Sequence, residues 1–251
     1  MTALTARPDR RLAAALLILV PVAFTVCFSL LQSWFEYPAI LRQPIADILT
    51  KFAAGGPALI AVWYALTLTA LLFIPIAVLL HRALAEDQAP AILWVATTFG
   101  IVAGLVQALG FLRWPFLVPH LAQTYLAPEA SEAQRAATAV VFDAFHRYVG
   151  MGIGEHLGYL STSIWTAGVA LVMWRAPQFG RALGLSGVVL AGGLACGLLE
   201  PAGWTLGGTI NTFSYLAWSV WLIAVGVRLL FHREVAARQI TSARSVPASL
   251  A

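Results

Sequence analysis

The chain is poor in charge. Only 10% of its 251 residues are Asp, Glu, Lys or Arg, against about 25% in an ordinary soluble domain. A water-facing surface cannot be built from so few ionic groups, which excludes a soluble globular fold. Lysine is nearly absent, Lys51 being the only one, and the arginines sit in short turns and tails between apolar runs. With no basic stripe interleaved with aromatics, the net charge of +4 is no nucleic-acid signature, and no nucleic-acid partner is expected. The two cysteines, Cys27 and Cys196, lie inside apolar runs without CxxC or Cys/His spacing, which argues against a disulfide framework or a zinc ribbon. Catalytic signatures are missing too: there is no nucleophile elbow, P-loop, dinucleotide fingerprint or pair of catalytic aspartates. No catalytic residue is assigned, and no cofactor is specified.

What the chain does contain is hydrocarbon: 60% of residues are hydrophobic and the mean hydropathy is +0.83. Six runs, about 12–34, 57–80, 91–112, 152–174, 183–200 and 206–231, meet the roughly 20 apolar residues needed to cross a bilayer core. The expected fold class is all-α, a polytopic integral membrane protein of six transmembrane helices with short outer-surface helices. Its first partner is the lipid bilayer. Residues 1–233 make the transmembrane domain, and the small, polar stretch 234–251 reads as a flexible cytoplasmic tail. The arginines before the first run resemble the start of a signal peptide. That run is too long for one and no small-x-small cleavage site follows, so it is read as a retained span. Pro21 and Pro75 lie inside the first two spans, where each removes a backbone hydrogen bond and predicts a kink.

Basic residues orient the spans. With a cytoplasmic N-terminus, the inner segments hold Arg7, Arg10, Arg11, Arg82, Arg175, Arg181, Arg228, Arg233, Arg238 and Arg244. The outer ones hold Arg42, Lys51, Arg113, Arg135 and Arg147. The excess belongs inside, which places both termini in the cytoplasm. Two outer connections carry most of the extra material. In EYPAILRQPIADILTKFAAGG, residues Leu41, Ile45, Ile48, Leu49 and Phe52 recur at helical spacing and predict a short amphipathic helix on the outer surface. In the second, SEAQ predicts a capping box with Ser131 as N-cap and Gln134 reaching back.

Counting depth from the inner edge gathers the polar residues of four spans at one level. Glu155 stands 20 residues from Arg175, about 30 Å at 1.5 Å per residue. Arg113, Glu200 and Asn211 fall at comparable depths on their own spans. Together with His156 and Tyr159, these residues are the candidate ligand-binding set: complementary donors and acceptors just inside the outer boundary. The competing reading is that each sits at the interface and snorkels to water. Trp34, Trp63, Trp114 and Trp204 mark the same outer level, and Trp94 and Trp174 the inner one. Gly150, Gly154 and Gly158 form overlapping GxxxG steps that predict close approach of a neighbouring helix. Glu155 and Tyr159, four apart, share a helical face, as do Asn211 and Tyr215.

Histidines supply a separate possibility. His120, His146 and His156 fall on the outer side, and imidazole with carboxylate suits zinc, copper or iron. No HxxxH or HExxH pattern supports such a site, and the ten residues between His146 and His156 span about 15 Å of straight helix. A Ser161–His156–Glu155 triad is sterically poor, because adjacent helical residues face different ways.

The outer EYPAILRQPIADIL helix, FLRWPFLVPHLA after the third span, GEHLGYLSTSIW on the fourth and NTFSYLAWSVWL on the sixth resemble a bacterial membrane family, the domain of unknown function 4386, over about residues 10–232. The resemblance implies a multi-pass bacterial inner-membrane protein and no residue roles. Three functions stay open. The first is a module binding a small amphipathic or anionic molecule in an outward-facing polar pocket. The second is a metal- or haem-dependent membrane enzyme using the outer histidines. The third is a structural or assembly partner in the membrane.

Overall fold

The computed structural model describes residues 6–85, 90–176 and 178–244, with side-chain surroundings up to residue 231. Among these residues every regular element is a helix and none is a strand. The elements are α1 (Ala6–Phe35), a 3-10 turn (Ala39–Arg42), α2 (Ile45–Leu84), α3 (Ala91–Phe116), α4 (Val118–Leu126) and α5 (Glu132–Phe145). A π-helical stretch (His146–Leu157), α6 (Gly158–Arg175), α7 (Arg181–Ala195), a second 3-10 segment (Cys196–Ala202) and α8 (Thr205–Arg244) complete the order. Six helices are long and apolar enough to cross a membrane: 9–35, 45–84, 91–126, 132–175, 181–202 and 205–231. The protein is therefore an all-α, multi-pass membrane protein.

The long helices form a closed ring in the order α1, α2, α3, α6, α7, α8, with α8 returning to α1. Lipid gives helices no hydrophobic reason to associate, so the ring depends on close packing. The half where α1 begins is filled: Trp165 of α6 is fully buried and meets Phe73 at 4.7 Å and Trp218 at 6.0 Å between ring centroids. Small residues admit these rings, since a Cβ on Gly100 would stand 2.4 Å from the Trp165 indole.

In the opposite half, a second cluster joins α1 and α2 to α3, α4 and α5. Its centre is Trp63 stacked on Trp114 at 4.7 Å, with Phe35 and Phe52 edge-on or alongside. These two tryptophans were expected in the outer aromatic belt. They are fully buried instead, whereas Trp34, Trp94, Trp174 and Trp204 are exposed as interface residues should be.

The segment expected to lie on the outer surface is the first part of α2. Its apolar face packs into the second cluster, with Ile48, Leu49 and Phe52 nearly inaccessible. The turn into the membrane-crossing part is made at Gly56, whose φ of 54° and ψ of −155° leave the helical region at an angle only glycine adopts freely. Pro57 then opens the crossing portion, where its missing N–H costs nothing. Helical angles continue through Pro75, and Thr25 of α1 donates to the Pro21 carbonyl at 2.8 Å. Ser131 caps α5 by accepting from the Gln134 backbone N–H at 3.2 Å. α8 is helical to Arg244, so residues 234–244 of the expected flexible tail continue the helix. Residues 245–251 lie outside the described part.

Candidate functional site

In the half of the ring away from the start of α1, the space between the helices is open. The cavity measures about 540 Å³, within the range of roughly 300–1,000 Å³ common for small-molecule sites. Five of the six expected ligand-binding residues line it: Arg113, Glu155, Tyr159, Glu200 and Asn211. The sixth, His156, does not line it. Consecutive residues on a helix point in different directions, and once Glu155 faces the cavity its neighbour faces elsewhere.

The local sequence explains how Arg113 comes to lie there. Gly150, Gly154 and Gly158 form one edge against α3. A Cβ on Gly154 would stand 2.9 Å from Gly110 Cα, and one on Gly158 would stand 2.9 Å from Gln107. At Gly150 the Arg113 guanidinium itself fills the position a side chain would occupy, 2.6 Å from an added Cβ. The expected GxxxG packing is thus a groove in which α3 lies and against which the arginine is laid flat. Gly150 and Gly154 fall within the π-helical stretch, whose wider winding is found in short pieces and frequently at functional positions, and Gly158 opens α6.

Arg113 is 92% buried, with 8% relative exposure. One guanidinium nitrogen donates to the Gly110 carbonyl, and the guanidinium lies 5.1 Å from the Trp114 ring centroid. Its Nε has no hydrogen-bond partner in the protein. Among the described residues no carboxylate forms an ion pair with it. A cation–π contact contributes on the order of 1–2 kcal/mol when desolvated, well short of the several kcal/mol that a buried, unpaired charge costs.

The remaining wall residues satisfy one another in part. Gln107 donates to Thr162 at 3.0 Å, Tyr215 donates to the same hydroxyl at 3.4 Å, and Asn211 donates to the Leu194 carbonyl at 2.6 Å. Tyr159 and Tyr215 stand 5.8 Å apart between ring centroids. A Cβ on Gly197 would meet both Tyr159 and Asn211 within 2.8 Å, so the second 3-10 segment approaches closely there. Tyr37, in the turn after α1, joins the wall. Burial raises its phenol above the ordinary value and the Glu155 carboxylate adds to the rise, which keeps it a neutral donor. At the rim Arg42 donates to Glu200, tying the first 3-10 turn to the second. Arg42 is 60% exposed and Glu200 22%, which marks this as the wetter end.

Part of the lining is apolar, made by Phe24 and Phe28 of α1, Leu66 of α2 and Leu216 of α8. On α8 the lining residues Thr205, Gly208, Thr209, Asn211, Thr212, Tyr215 and Leu216 are mostly polar. They span 11 residues, about 16 Å of helix. The buried hydrophobic residues of α8 begin only at Trp218 and belong to the filled half. On α1, Phe24 and Phe28 line the cavity, while Cys27, Leu31 and Phe35 belong to the second cluster, which contains no residue of α8.

The histidines are dispersed. His120 is exposed on α4, and His146 is buried in a stack on Phe142 at 5.5 Å. Neither lines the cavity, and among the described residues no group of three His, Cys, Asp or Glu side chains is placed to hold a metal ion. The residues not named from sequence as site candidates are Tyr37, Arg42, Gln107 and Tyr215. Gln107 could have been found as an amide inside the third apolar run, since polar residues at membrane depth seldom lack a role.

The profile of a family described as a domain of unknown function (DUF4386) matches residues 12–226. No curated protein and no solved structure matches the chain.

Proposed function

The chain belongs to the DUF4386 family, and from that premise we propose that it binds a small amphipathic molecule bearing an anionic group. The site is the polar cavity between its helices, facing outward from a bacterial inner membrane with both termini cytoplasmic. The observation that carries this reading is Arg113. A guanidinium that is buried, laid against a glycine and joined in no ion pair among the described residues is costly to keep, even with the Glu155 carboxylate attracting it from the same cavity. An anion in the cavity would pair with it. The aromatic and aliphatic wall formed by Phe24, Phe28, Leu66 and Leu216 suits the apolar part of such a molecule. Tyr37 and Tyr159 add neutral donors near its polar part. The role that fits is reception or carriage of a ligand. Among the described residues His120 and His146 lie away from the cavity, so the metal- or haem-dependent reading draws less support.

The test uses the purified full chain in maltoside micelles, with decanoate and decanol as matched probes. Decanoate should raise the thermal midpoint in a saturable way and decanol should not, because only the former meets Arg113. Arg113→Gln should remove the response, and Arg113→Lys should keep part of it because a lysine retains the charge without the fork geometry. Equal responses to the acid and the alcohol, or an undiminished response in Arg113→Gln, would overturn the reading.

A further inference from the structure

Arg113 is not the only unpaired charge on the wall. Glu155 lines the same cavity and has no hydrogen bond or ion pair with any described residue, Arg113 included. The two opposite charges face one space without closing on each other. By contrast Arg42 and Glu200 at the rim are already paired. A simple anion would compensate Arg113 and leave Glu155 both uncompensated and repelled. A molecule with an anionic and a cationic group would satisfy both.

The amides point the same way. Gln107 and Asn211 each donate their side-chain N–H to the protein, and neither side-chain oxygen accepts a hydrogen bond from a described residue. With Glu155, the wall therefore carries three spare acceptors around one cavity, the complement of an ammonium with three N–H donors.

We propose, building on the anion-binding reading above, that the ligand is a zwitterionic amphiphile whose phosphate meets Arg113 and whose primary ammonium meets Glu155. The geometry favours a lipid over a free solute. Beside the polar groups the lining carries the apolar side chains Phe24, Phe28, Leu66 and Leu216, along which a chain would lie. A phosphoethanolamine lipid has this chemistry.

Three probes separate the parts of the idea, each titrated against the full chain in maltoside micelles and read by native mass spectrometry. Lysophosphatidylethanolamine carries both charges and a chain. Lysophosphatidylglycerol carries the same chain and phosphate without the ammonium. Glycerophosphoethanolamine carries both charges without the chain. The first should bind at least about tenfold more tightly than either of the others, as expected when a desolvated charge pair is lost. Glu155→Gln should abolish the preference for the ethanolamine lipid over the glycerol lipid, while Arg113→Gln should weaken both.

If the glycerol lipid binds as tightly as the ethanolamine lipid, the zwitterion idea falls and the anion-binding reading stands. Binding of glycerophosphoethanolamine equal to that of the lysolipid would overturn the lipid source. If none of the three binds, both readings fall. Should Glu155→Gln fail to fold, the wild-type comparison of the two lysolipids decides the matter alone.

Discussion

The two halves of the helix ring are made from the same kinds of residue and end in opposite states. Near the start of α1 the interior is occupied by Trp165, Phe73 and Trp218, with small residues such as Gly100 cut back to admit them. In the far half the large aromatics Trp63, Trp114 and Phe35 are drawn aside, into a cluster with α4 and the first part of α2. The ring centre is left to Arg113, Glu155, Gln107 and three tyrosines. The contrast teaches that the cavity does not come from a shortage of bulky side chains. The extra short helices α4 and α5 and the first part of α2 draw in the bulky side chains of α1, α2 and α3, while α8 presents mostly threonines, with Gly208, Asn211, Tyr215 and Leu216, to the same space.

The comparison breaks most sharply by truncation. Trp165→Ala should destabilise the filled half by about 3–5 kcal/mol, the usual cost of deleting a large buried aromatic. Phe24→Ala enlarges a space that already exists and should cost about 1 kcal/mol. Thermal midpoints in detergent, measured side by side, would check the ranking; equal losses would mean the far half is packed as tightly as the near one.

Next comes the seam between α3 and the π-helical stretch. Gly154→Leu should cost about 3 kcal/mol, because the new side chain meets the Gly110 backbone, which cannot turn aside as a flexible side chain can. Gly154→Ala should be milder. Gly192, where an added Cβ meets nothing within 4 Å, supplies the control on α7. Tolerance of leucine at residue 154 would mean that the two helices separate in the membrane.

The charges give smaller effects of unusual sign. Because Arg113 has no carboxylate partner, Arg113→Met should raise the stability of ligand-free protein by about 1 kcal/mol, as replacing buried charges by apolar groups often does. Arg113 and Glu155 attract each other without forming an ion pair, so Arg113→Gln and Glu155→Gln should couple by only about 0.5–1 kcal/mol in a double-mutant cycle without ligand. A large coupling would show that the two side chains close on each other in solution. Smallest of all is the rim: Arg42→Gln removes an exposed pair and should change stability by less than about 1 kcal/mol at moderate salt.

Much of this was legible before any coordinates. Apolar runs show where spans lie, and counting along them placed Arg113, Glu155, Glu200 and Asn211 at one level. Depth is a one-dimensional property, so a sequence carries it. Direction around the helix is harder, because it depends on which neighbours a helix finds. Glu155 and His156 share a depth, yet only Glu155 lines the cavity. Trp63 and Trp114 share the depth of the aromatic belt, yet they stack in the core. Arg113 and Glu155 share a depth and line one cavity, yet no ion pair joins them.

The sequence by itself determined the six crossings, the polar level in the far half and the glycine edge for close packing. Each follows from local composition and a fixed rise per residue. Only the tertiary structure decided that the level surrounds a cavity, that Tyr37, Arg42, Gln107 and Tyr215 join it, and that the histidines do not. Those outcomes depend on the order of helices around the ring and on the rotation of each one. They are set by contacts between residues far apart in the chain, which no local pattern encodes.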